Sequence, residues 1–507
     1  MHNPYLLKNI EHASTRIRKA IHNNERISIF GDPDSDGVNA TVIMYNYLNH
    51  FTNNVGYFHN QRSTGHGINT SKHLVPEDID LLIIVDSSSN DVEETKEIAS
   101  RGIDVIILDH HLVDTVNPYC ILVNPQQGGC AYPNKHISGA VVAWKMCQVL
   151  DIEFNTKYSE ELIDLAAIGL LGDQMNMLEY ENRYIVKQGL SNIKNRGVKA
   201  LLSAFNKEKN KISSTDILYT IVPCLNSTCR LDVMELALSL MIEENPKNIQ
   251  RLIQDTLKLN EKRKAVQAKH YNELVGLINK DDKCSILINN SVGAGYRGLL
   301  AGDLSKVFKK PIMVLAEAEN DTYKGSFRSN GYDLKALLNS FPEVISAVGH
   351  PQAGGVTFKR KHLNRIQQLL NNQLPTQDDY LEYVLELDLA EIDEDTINSI
   401  EDFFKWSGNG FEQGKFKIKD IFILDKRVIG KENNTIKLDC CYSKRISNYP
   451  THALMKFKTH SDYFSDKLIS KEIEAVGTLN LNVYTNPRTG KTTKTKQIFV
   501  EDYHLVF

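Results

Sequence analysis

Three uninterrupted apolar runs in the first quarter of the chain constrain its fold more than any other feature. They occupy residues 27–30, 81–85 and 105–108. A strand covered on both faces is apolar at every position, whereas a strand with one face in water alternates apolar and polar residues. Helical patterns separate the runs. Residues 1 to about 245 therefore predict a parallel sheet wrapped by helices.

Acidic residues follow each of these runs, and two histidines follow the third. In an open parallel sheet, ligands bind outside the carboxyl ends of the strands. Several carboxylates at one edge repel each other unless cations neutralise them, and oxygen ligands with a minority of imidazole suit Mn²⁺ or Mg²⁺. The residues are Asp34 and Asp36 after the first run, Asp86 after the second, Asp109, His110 and His111 after the third, and Asp173 after the helical run 162–171.

Each acid taken singly has a simpler explanation as a helix N-cap. Asp36 or Ser35 could cap a helix that begins near Val38. Capping does not explain three acids within the five positions 32–36 together with an Asp-His-His triplet at the end of a buried strand. The conjunction therefore favours a metal site.

The rest of the chain predicts three further parts. A segment without Gly or Pro between Lys247 and Val275 indicates one long, largely solvated helix. A second α/β pattern follows, with two glycine-rich segments, and the last part has short β-like runs typical of a small antiparallel barrel. The predicted domains are 1–245, a connecting helix 246–282, a smaller α/β domain 283–372, and a β-barrel 380–507.

Composition excludes several classes of protein. A chain of 507 residues with 41% hydrophobic and 24% charged residues is typical of a globular protein of two to four domains. No apolar stretch approaches the roughly 20 residues that cross a bilayer, and the N-terminus has no apolar signal region. The eight cysteines are scattered, which indicates reduced thiols and a cytoplasmic protein. The net charge of −4 gives no global sign of nucleic-acid binding.

The ordered acidic motifs resemble those of the DHH superfamily of phosphoesterases. They are Asp32-x-Asp34-x-Asp36-Gly37, Asp86, Asp109-His110-His111 and Gly172-Asp173. Further segments are similar to the RecJ branch of that superfamily, and they occur in the family order along nearly the whole chain. These segments are Arg62-x-x-Gly65-His66-Gly67, Asn124-Pro125, Ser138-Gly139-Ala140, the run from Leu225 to Leu231, Leu259-Asn260-x-x-Arg263-Lys264, Gly325-Ser326-x-Arg328-Ser329, Gly349-His350-x-x-Ala353-Gly354-Gly355 and Phe404-x-x-x-Gly408-x-Gly410.

The chain departs from the family pattern at three places. Cys229 and Val348 stand where glycines are usual, and His66 replaces an aromatic residue. The motif around Arg62 also has a different spacing. None of these changes touches an expected metal ligand, so the resemblance implies intact metal chemistry with an altered substrate-facing surface.

The resemblance implies a role for each residue of the acidic motifs. Two divalent ions, Mn²⁺ or Mg²⁺, would be held by Asp34, Asp36, Asp86, His110 and Asp173, with Asp86 placed to bridge them. Asp32 would be either a further ligand or an outer partner of a ligand. His111 would contact the scissile phosphate, with a core histidine as the alternative, and Asp109 would orient its neighbours.

The resemblance also implies residues that bind the substrate. Arg328 and His350, expected on glycine-rich loops, would close over the phosphate with Ser326 and Ser329, unless those loops are ordinary turns. Arg62 and Arg230 are further phosphate contacts, with surface ion pairs as the alternative. In the β-rich tail the candidates for single-strand binding are Lys415, Phe416, Lys417, Arg488 and Lys491, although half-buried strands show similar alternation.

The function implied is a RecJ-like 5′→3′ exonuclease that releases mononucleotides from single-stranded DNA in repair or recombination. We expect a monomer without membrane contact, with a single-strand-binding protein or a helicase as possible partners and RNA oligonucleotides as a possible substrate. Two alternatives stay open. One is a nanoRNase-like or cyclic-dinucleotide phosphodiesterase, and the other is an inactive, DNA-binding replication scaffold.

Overall fold

The computed structural model describes residues 1–207, 212–329, 331–375, 381–430, 433–442, 449–457, 459, 463–486 and 489–506. The chain forms two compact units, Met1–Asp378 and Asp379–Phe507. The fold is mixed α/β, as predicted.

The first unit begins with a five-stranded parallel sheet. Its order is β2-β1-β3-β4-β5, and every pairing is parallel. The central strands are buried along their length, which explains their continuous apolar sequences. The edge strands β2 and β5 were not predicted, because β2 is half-buried and β5 has only three residues. The strands are β1 (Ile27–Gly31), β2 (Val55–His59), β3 (Leu81–Val85), β4 (Asp104–Leu108) and β5 (Ile121–Val123).

Helices cover this sheet and extend beyond it. Helices α4 and α5 are almost wholly buried, since they lie between the sheet and an outer layer of helices. A short π-helical turn, Ile217–Ile221, leads into α9. The helices are α1 (Ile10–His22), α2 (Ser35–Asn49), α3 (Val92–Ser100), α4 (Gly139–Phe154), α5 (Ile163–Gly172), α6 (Tyr180–Ser191), α7 (Arg196–Ala204), α8 (Ser214–Asp216), α9 (Val222–Arg230) and α10 (Met234–Ile242).

A buried ion pair joins α4 to α6. The Nζ atom of Lys145 lies 2.9 Å from Oε1 of Glu181, and the two side chains are 0% and 2% exposed. Glu181 also accepts hydrogen bonds from the Tyr132 hydroxyl and from the backbone N–H of His2. Burial lowers the pKa of Lys145, while burial opposes and Lys145 favours the net lowering of the pKa of Glu181. Every charge in this network is therefore matched by a partner.

A single helix, α11 (Pro246–Val275), follows, as the composition of this segment predicted. A second sheet then forms with the order β6-β7-β8-β10-β9, in which only the β6–β7 pairing is parallel among the described strands. Its elements are β6 (Ser285–Ile288), α12 (Ala294–Phe308), β7 (Ile312–Ala318), β8 (Thr322–Arg328), α13 (Leu334–Asn339), β9 (Val344–His350), β10 (Ala353–Lys359) and α14 (Leu363–Gln373).

The second unit is built around a six-stranded sheet in the order β11-β12-β13-β14-β16-β15. Strand β12 also pairs with β15, so the sheet curls back on itself around an apolar core. The pairings β11–β12 and β14–β16 are parallel, so the sheet is mixed and the predicted purely antiparallel barrel was wrong in this detail. The elements are β11 (Leu385–Asp388), α15 (Glu394–Phe403), β12 (Phe416–Ile429), β13 (Thr435–Tyr442), β14 (His452–Lys456), β15 (Glu472–Thr485) and β16 (Thr492–Leu505).

Among the described residues, no helix combines the length and the apolar character needed to span a bilayer.

Candidate metal centre

The first acidic segment forms the start of α2. The helix begins at Ser35, and its N-cap is Asp34, whose carboxylate accepts hydrogen bonds from the N–H groups of Asp36 (3.0 Å) and Gly37 (3.1 Å). The predicted cap at Ser35 or Asp36, with a start near Val38, was wrong because the helix starts three residues earlier. Asp34 thus combines a capping role with a position at the carboxyl end of β1.

Asp36 is fixed from the other side by a second helix. Its carboxylate accepts hydrogen bonds from the N–H groups of Gly139 (2.7 Å) and Ala140 (3.1 Å), at the N-terminus of α4. The side chain is 1% exposed. Free N–H groups and the helix dipole both favour a negative charge at this end of a helix. The carboxylate is therefore held rigidly and oriented before any ligand binds.

His110 lies at the centre of the acidic residues. Its Nε2 atom is 3.2 Å from Oδ1 of Asp86, 3.4 Å from Oδ2 of Asp173 and 3.9 Å from Oδ2 of Asp36. Two groups of side chains in this region could each hold a cation, namely Asp36, His110 and Asp173, and Asp86, Asp109, His110 and His111. Residues that follow three strands of the sheet and the end of α5 thus converge on one volume.

Two buried atoms in this volume support its assignment to a metal. Nε2 of His110 and Oδ1 of Asp86 face each other, yet within the described part of the chain neither has a hydrogen-bond partner of acceptable geometry. An unsatisfied buried polar atom costs about 1–3 kcal/mol. Imidazole and carboxylate ligands of one ion adopt this arrangement, because both point at the ion and not at each other. The donor set fits Mn²⁺ or Mg²⁺.

The pKa values of these groups reflect burial and like charge. Burial and the positive charge of His111 lower the pKa of His110 to about 3, so its imidazole is neutral and free to ligate. Burial and Asp34 raise the pKa of Asp36 to about 6. Burial and the neighbouring carboxylates raise the pKa values of Asp86 and Asp173 well above the ordinary range. A divalent cation would remove the repulsion that causes these shifts.

Asp109 faces away from this volume and supports its neighbours. The carboxylate is fully buried, and it accepts hydrogen bonds from the hydroxyl of Ser89 (2.6 Å) and the backbone N–H of His110 (2.7 Å). Its contact with Nδ1 of His111 is 2.8 Å long. The charge of Asp109 raises the pKa of His111 to about 10, so that ring is cationic. The geometry supports an orienting role for Asp109 and a phosphate-facing role for His111, which is 52% exposed.

Asp32 is occupied by other partners. Its carboxylate contacts Nδ1 of His66 at 2.7 Å and accepts a hydrogen bond from the N–H of Gly67 at 3.1 Å. It belongs to neither group of side chains that could hold a cation. Of the two roles left open by the sequence, this geometry supports the outer partner.

The predicted phosphate contacts of the first unit lie within electrostatic range of each other. Burial, then Arg62 and Arg263, lower the pKa of Arg230 to about 10, and burial and Arg62 lower the pKa of Arg328. The NH1 atom of Arg62 is 3.7 Å from Oδ2 of Asp34, so this cluster of guanidinium groups borders the acidic residues. The pKa of His350 is lowered by burial, then by His111 and others.

The glycine-rich segments of the second sheet are strands, which corrects the expectation of phosphate-binding loops. Arg328 ends β8 and His350 ends β9. A Cβ atom on Gly325 would lie 2.1 Å from the carbonyl oxygen of Val314 on the neighbouring strand. Ser326 lies on β8, and Ser329 follows it with its hydroxyl donating to the carbonyl of Tyr332. The glycines therefore serve strand packing, and the strand ends present the charged side chains.

Several supporting residues were not identified from the sequence. Ser89 bonds Asp109, and Asn124 donates to the Ser89 hydroxyl and to the carbonyl of His111. A Cβ atom on Gly139 would lie 2.5 Å from Oδ1 of Asp86, so only glycine fits there. Asn226 accepts the N–H of Ser35. Asn124, Gly139 and Asn226 lie in motif segments, and that was the one signal available for them.

The predicted nucleic-acid contacts of the second unit separate into two groups. Phe416 is 4% exposed in the barrel core, so its ring is unavailable for base stacking, and Lys417 forms ion pairs with Glu386 and Glu474. Lys415 is half-buried beside them, whereas Lys491 is exposed in the turn between β15 and β16. Arg488 lies outside the described residues.

Comparison with known proteins decides the family. The model of the DHH family N-terminal domain matches residues 26–170, that of the DHHA1 domain matches residues 286–375, and that of the RecJ OB domain matches residues 385–492. The chain belongs to the DHH family, with the domain order of its RecJ branch. The acidic residues from Asp32 to Asp109 fall inside the first match.

Curated relatives agree with this assignment. The single-stranded-DNA-specific exonuclease RecJ of Bacillus subtilis is 29% identical over 457 residues, which cover 86% of this chain and 57% of that protein. The putative single-strand DNA-specific exonuclease YorK of the SPbeta prophage is 26% identical over 544 residues, which cover 99% of this chain and 91% of that protein. The chain thus spans little more than half of the B. subtilis enzyme.

Solved structures confirm the fold. RecJ of Thermus thermophilus in complex with Mn²⁺ superimposes with a TM-score of 0.78 at 21% identity, covering 99% of this chain and 72% of that chain. The Mg²⁺ complex of RecJ from the same organism gives a TM-score of 0.74 at 20% identity, covering 99% of this chain and 71% of that chain.

Proposed function

We propose that this protein is a metal-dependent phosphodiesterase that degrades single-stranded DNA from the 5′ end and releases mononucleotides, in DNA repair or recombination. The observation that carries the proposal is the pair of unpartnered buried atoms, Nε2 of His110 and Oδ1 of Asp86, 3.2 Å apart among carboxylates. The DHH family membership and the named activities of the RecJ relatives support it.

The residues that would hold the metal are those gathered around His110. Two Mn²⁺ or Mg²⁺ ions bound here would supply a nucleophilic water and stabilise negative charge on the phosphoryl oxygens. The residues are Asp34, Asp36, Asp86, His110 and Asp173, with Asp32 as an outer partner.

The side chains around the metal residues would position the phosphate. Arg62, Arg230 and Arg328 can donate several hydrogen bonds to a phosphodiester, and their crowding is relieved when an anion binds. His111, cationic because of Asp109, can donate a proton or a hydrogen bond to an oxygen of the scissile phosphate. A single strand supplies the flexible backbone that such a cluster requires.

The second unit would bind the strand beyond the scissile bond. It matches the RecJ OB domain, and OB folds bind oligonucleotides. Lys491 in the β15–β16 turn is the exposed cation of the predicted set among the described residues. A single-strand-binding protein or a helicase would supply the substrate.

Degradation of end-labelled single strands tests this function. With Mn²⁺ present, we expect a strand with a blocked 3′ end to be shortened to mononucleotides, and a strand with a blocked 5′ end to survive. EDTA should stop the reaction. Survival of both strands alongside an active control nuclease would refute the proposal, and preferential cleavage of a dinucleotide would indicate a nanoRNase-like phosphodiesterase instead.

Metal affinity is expected to fall as the pH falls below about 6. The pKa of Asp36 is raised to about 6, so below that pH a proton competes with the metal for its carboxylate. The raised pKa values of Asp86 and Asp173 act in the same direction. Calorimetric titration with Mn²⁺ between pH 5 and 8 should show an affinity that rises with pH. A constant affinity across this range would contradict the assignment of these carboxylates as ligands.

A further inference from the structure

The solvent-facing side of α11 carries a row of cations. Helix geometry places five basic residues within about 40° of one line along the helix. All five are exposed. We call this row the basic stripe, and it consists of Lys247, Arg251, Lys258, Lys262 and Lys269.

The stripe contains no acidic residue. Asp255 and Glu261 lie at its margins, and Glu261 pairs with Lys264 on another side of the helix at 2.8 Å. Glu273 is bonded to His270 and Asn289. Within the described part of the chain, none of the five cations has an ion-pair partner within 4 Å, although Glu243 and Glu273 are close enough to sense Arg251 and Lys269.

Other basic side chains of this unit are paired. In the segment around α14, Arg360 lies 3.2 Å from Glu317, and Arg365 lies 3.6 Å from Glu343. A purely solubilising helix face would mix both signs of charge, since alternating charges stabilise an exposed helix. The protein as a whole has a net charge of −4, so a row of five unmatched cations is a local departure.

The opposite side of α11 faces the phosphate-binding residues. Arg263 is buried there and donates hydrogen bonds to the side chains of Asn260 (3.1 Å) and Gln267 (2.8 Å). Its charge contributes to the lowered pKa of Arg230. The stripe therefore lies on the far side of a helix that borders the catalytic cleft, outside the reach of the scissile phosphate.

The dimensions and composition of the stripe fit a polyanion. From Lys247 to Lys269 the helix rises about 33 Å, much longer than one phosphate or one metabolite. Four of the five cations are lysines, which are depleted at protein–protein interfaces. Along α11, every residue of which is described, this face carries Ala265 but no larger apolar or aromatic side chain that could anchor a protein or stack on a base.

We propose that the basic stripe binds the phosphodiester backbone of DNA outside the catalytic cleft, without regard to base identity. This rests on the proposed function, since it takes the substrate strand as the ligand. The contact lengthens the path of the bound strand and adds affinity that salt weakens. Because the stripe lacks stacking side chains, it binds the backbone of a duplex as well as that of a single strand.

A salt titration with matched variants tests the stripe. The test variant is R251Q/K258Q/K262Q/K269Q, and the control is R18Q/R26Q/K72Q/K96Q, which also removes four cations but takes each from an ion pair. Glutamine keeps helix propensity close to that of lysine and arginine. Both sets are made in the Asp86→Asn background so that DNA survives, and binding of a 60-nucleotide single strand and a 60-base-pair duplex is measured from 50 to 300 mM salt.

Each lost phosphate contact lowers the slope of log affinity against log salt by about 0.7 for a single strand and about 0.9 for a duplex. The test variant should lose about 2.8 and about 3.6 in slope, while the control stays within about 0.7 of the parent. Equal slopes for test and control on both DNAs would overturn the proposal. A loss on the single strand alone would support it for that strand and refute the duplex contact.

A second readout separates this proposal from the proposed function. In the otherwise unmodified protein, the test variant should raise KM for a 60-nucleotide strand at least tenfold and leave degradation of a 6-nucleotide strand unchanged. If the parent protein degrades neither strand, the proposed function fails, while the slopes still decide the stripe. Equal loss on both lengths would place the effect in the cleft and contradict the proposal.

Discussion

Replacing Asp86 with asparagine is expected to reduce Mn²⁺-dependent degradation of single-stranded DNA by about a thousandfold or more. Loss of an outer partner of a metal ligand already costs about 10–100-fold, and a ligand placed to bridge two ions costs more. The side chain is 2% exposed and follows β3 with a left-handed backbone (φ 62°), so no neighbour can take its place. Activity on labelled strands and Mn²⁺ binding by calorimetry measure the two losses.

The same substitution is expected to leave the metal-free protein at least as stable. Burial and the charges of Asp36, Asp34 and Asp173 raise the pKa of Asp86, so its carboxylate is a source of repulsion without a cation. Removing that charge relieves the repulsion. Urea unfolding in EDTA compares the variant with the parent, and Asp114→Asn, at an exposed site, is the matched control. A variant that loses activity only because it unfolds would contradict the metal assignment.

Replacing Lys145 with methionine is expected to destabilise the first unit by about 3–5 kcal/mol. The substitution leaves Glu181 buried with a charge that Tyr132 and the N–H of His2 cannot match. The urea concentration at which the first unit unfolds, followed by circular dichroism, measures the loss. Specific activity at low temperature should survive, because the ion pair makes no contact with the acidic residues.

The double variant K145M/E181Q separates the lost charge from the lost packing. A neutral amide retains acceptors for Tyr132 and His2, so more than half of the stability should return. Lys96→Met, which removes an exposed lysine 3.9 Å from Glu93, should change stability by less than about 1 kcal/mol. If K145M and Lys96→Met gave equal changes, the buried ion pair would have no special role.

The location of the site could be predicted from the sequence because chain direction determines it. Parallel strands end at one edge, so Asp86 and the Asp109-His110-His111 triplet had to be neighbours once their strands were recognised. Continuous apolar runs marked the central strands but not the edges. The short β5 and the half-buried β2 lack that signal.

What each acid does could not be predicted, because it depends on contacts between distant segments. Asp36 bonds the N–H of Gly139, 103 residues away, and nothing near Asp36 in the sequence indicates this partner. Asp34 is the cap because α2 starts at Ser35, a boundary that composition does not determine. Phe416 lies in a lysine-flanked segment that resembles a stacking site, yet curvature of the second unit's sheet turns its ring inward.

The anchoring of Asp36 by the N-terminus of α4 has a consequence for the timing of metal uptake during synthesis. The cluster needs residues from Asp32 to Asp173, and Asp36 is oriented only after α4 has docked. At about 5–20 residues per second, roughly 7–28 s separate the emergence of Asp32 and Asp173 from a ribosome. The nascent chain must build its apolar sheet unaided during this interval. We therefore expect chelation of a finished molecule to silence it without unfolding it.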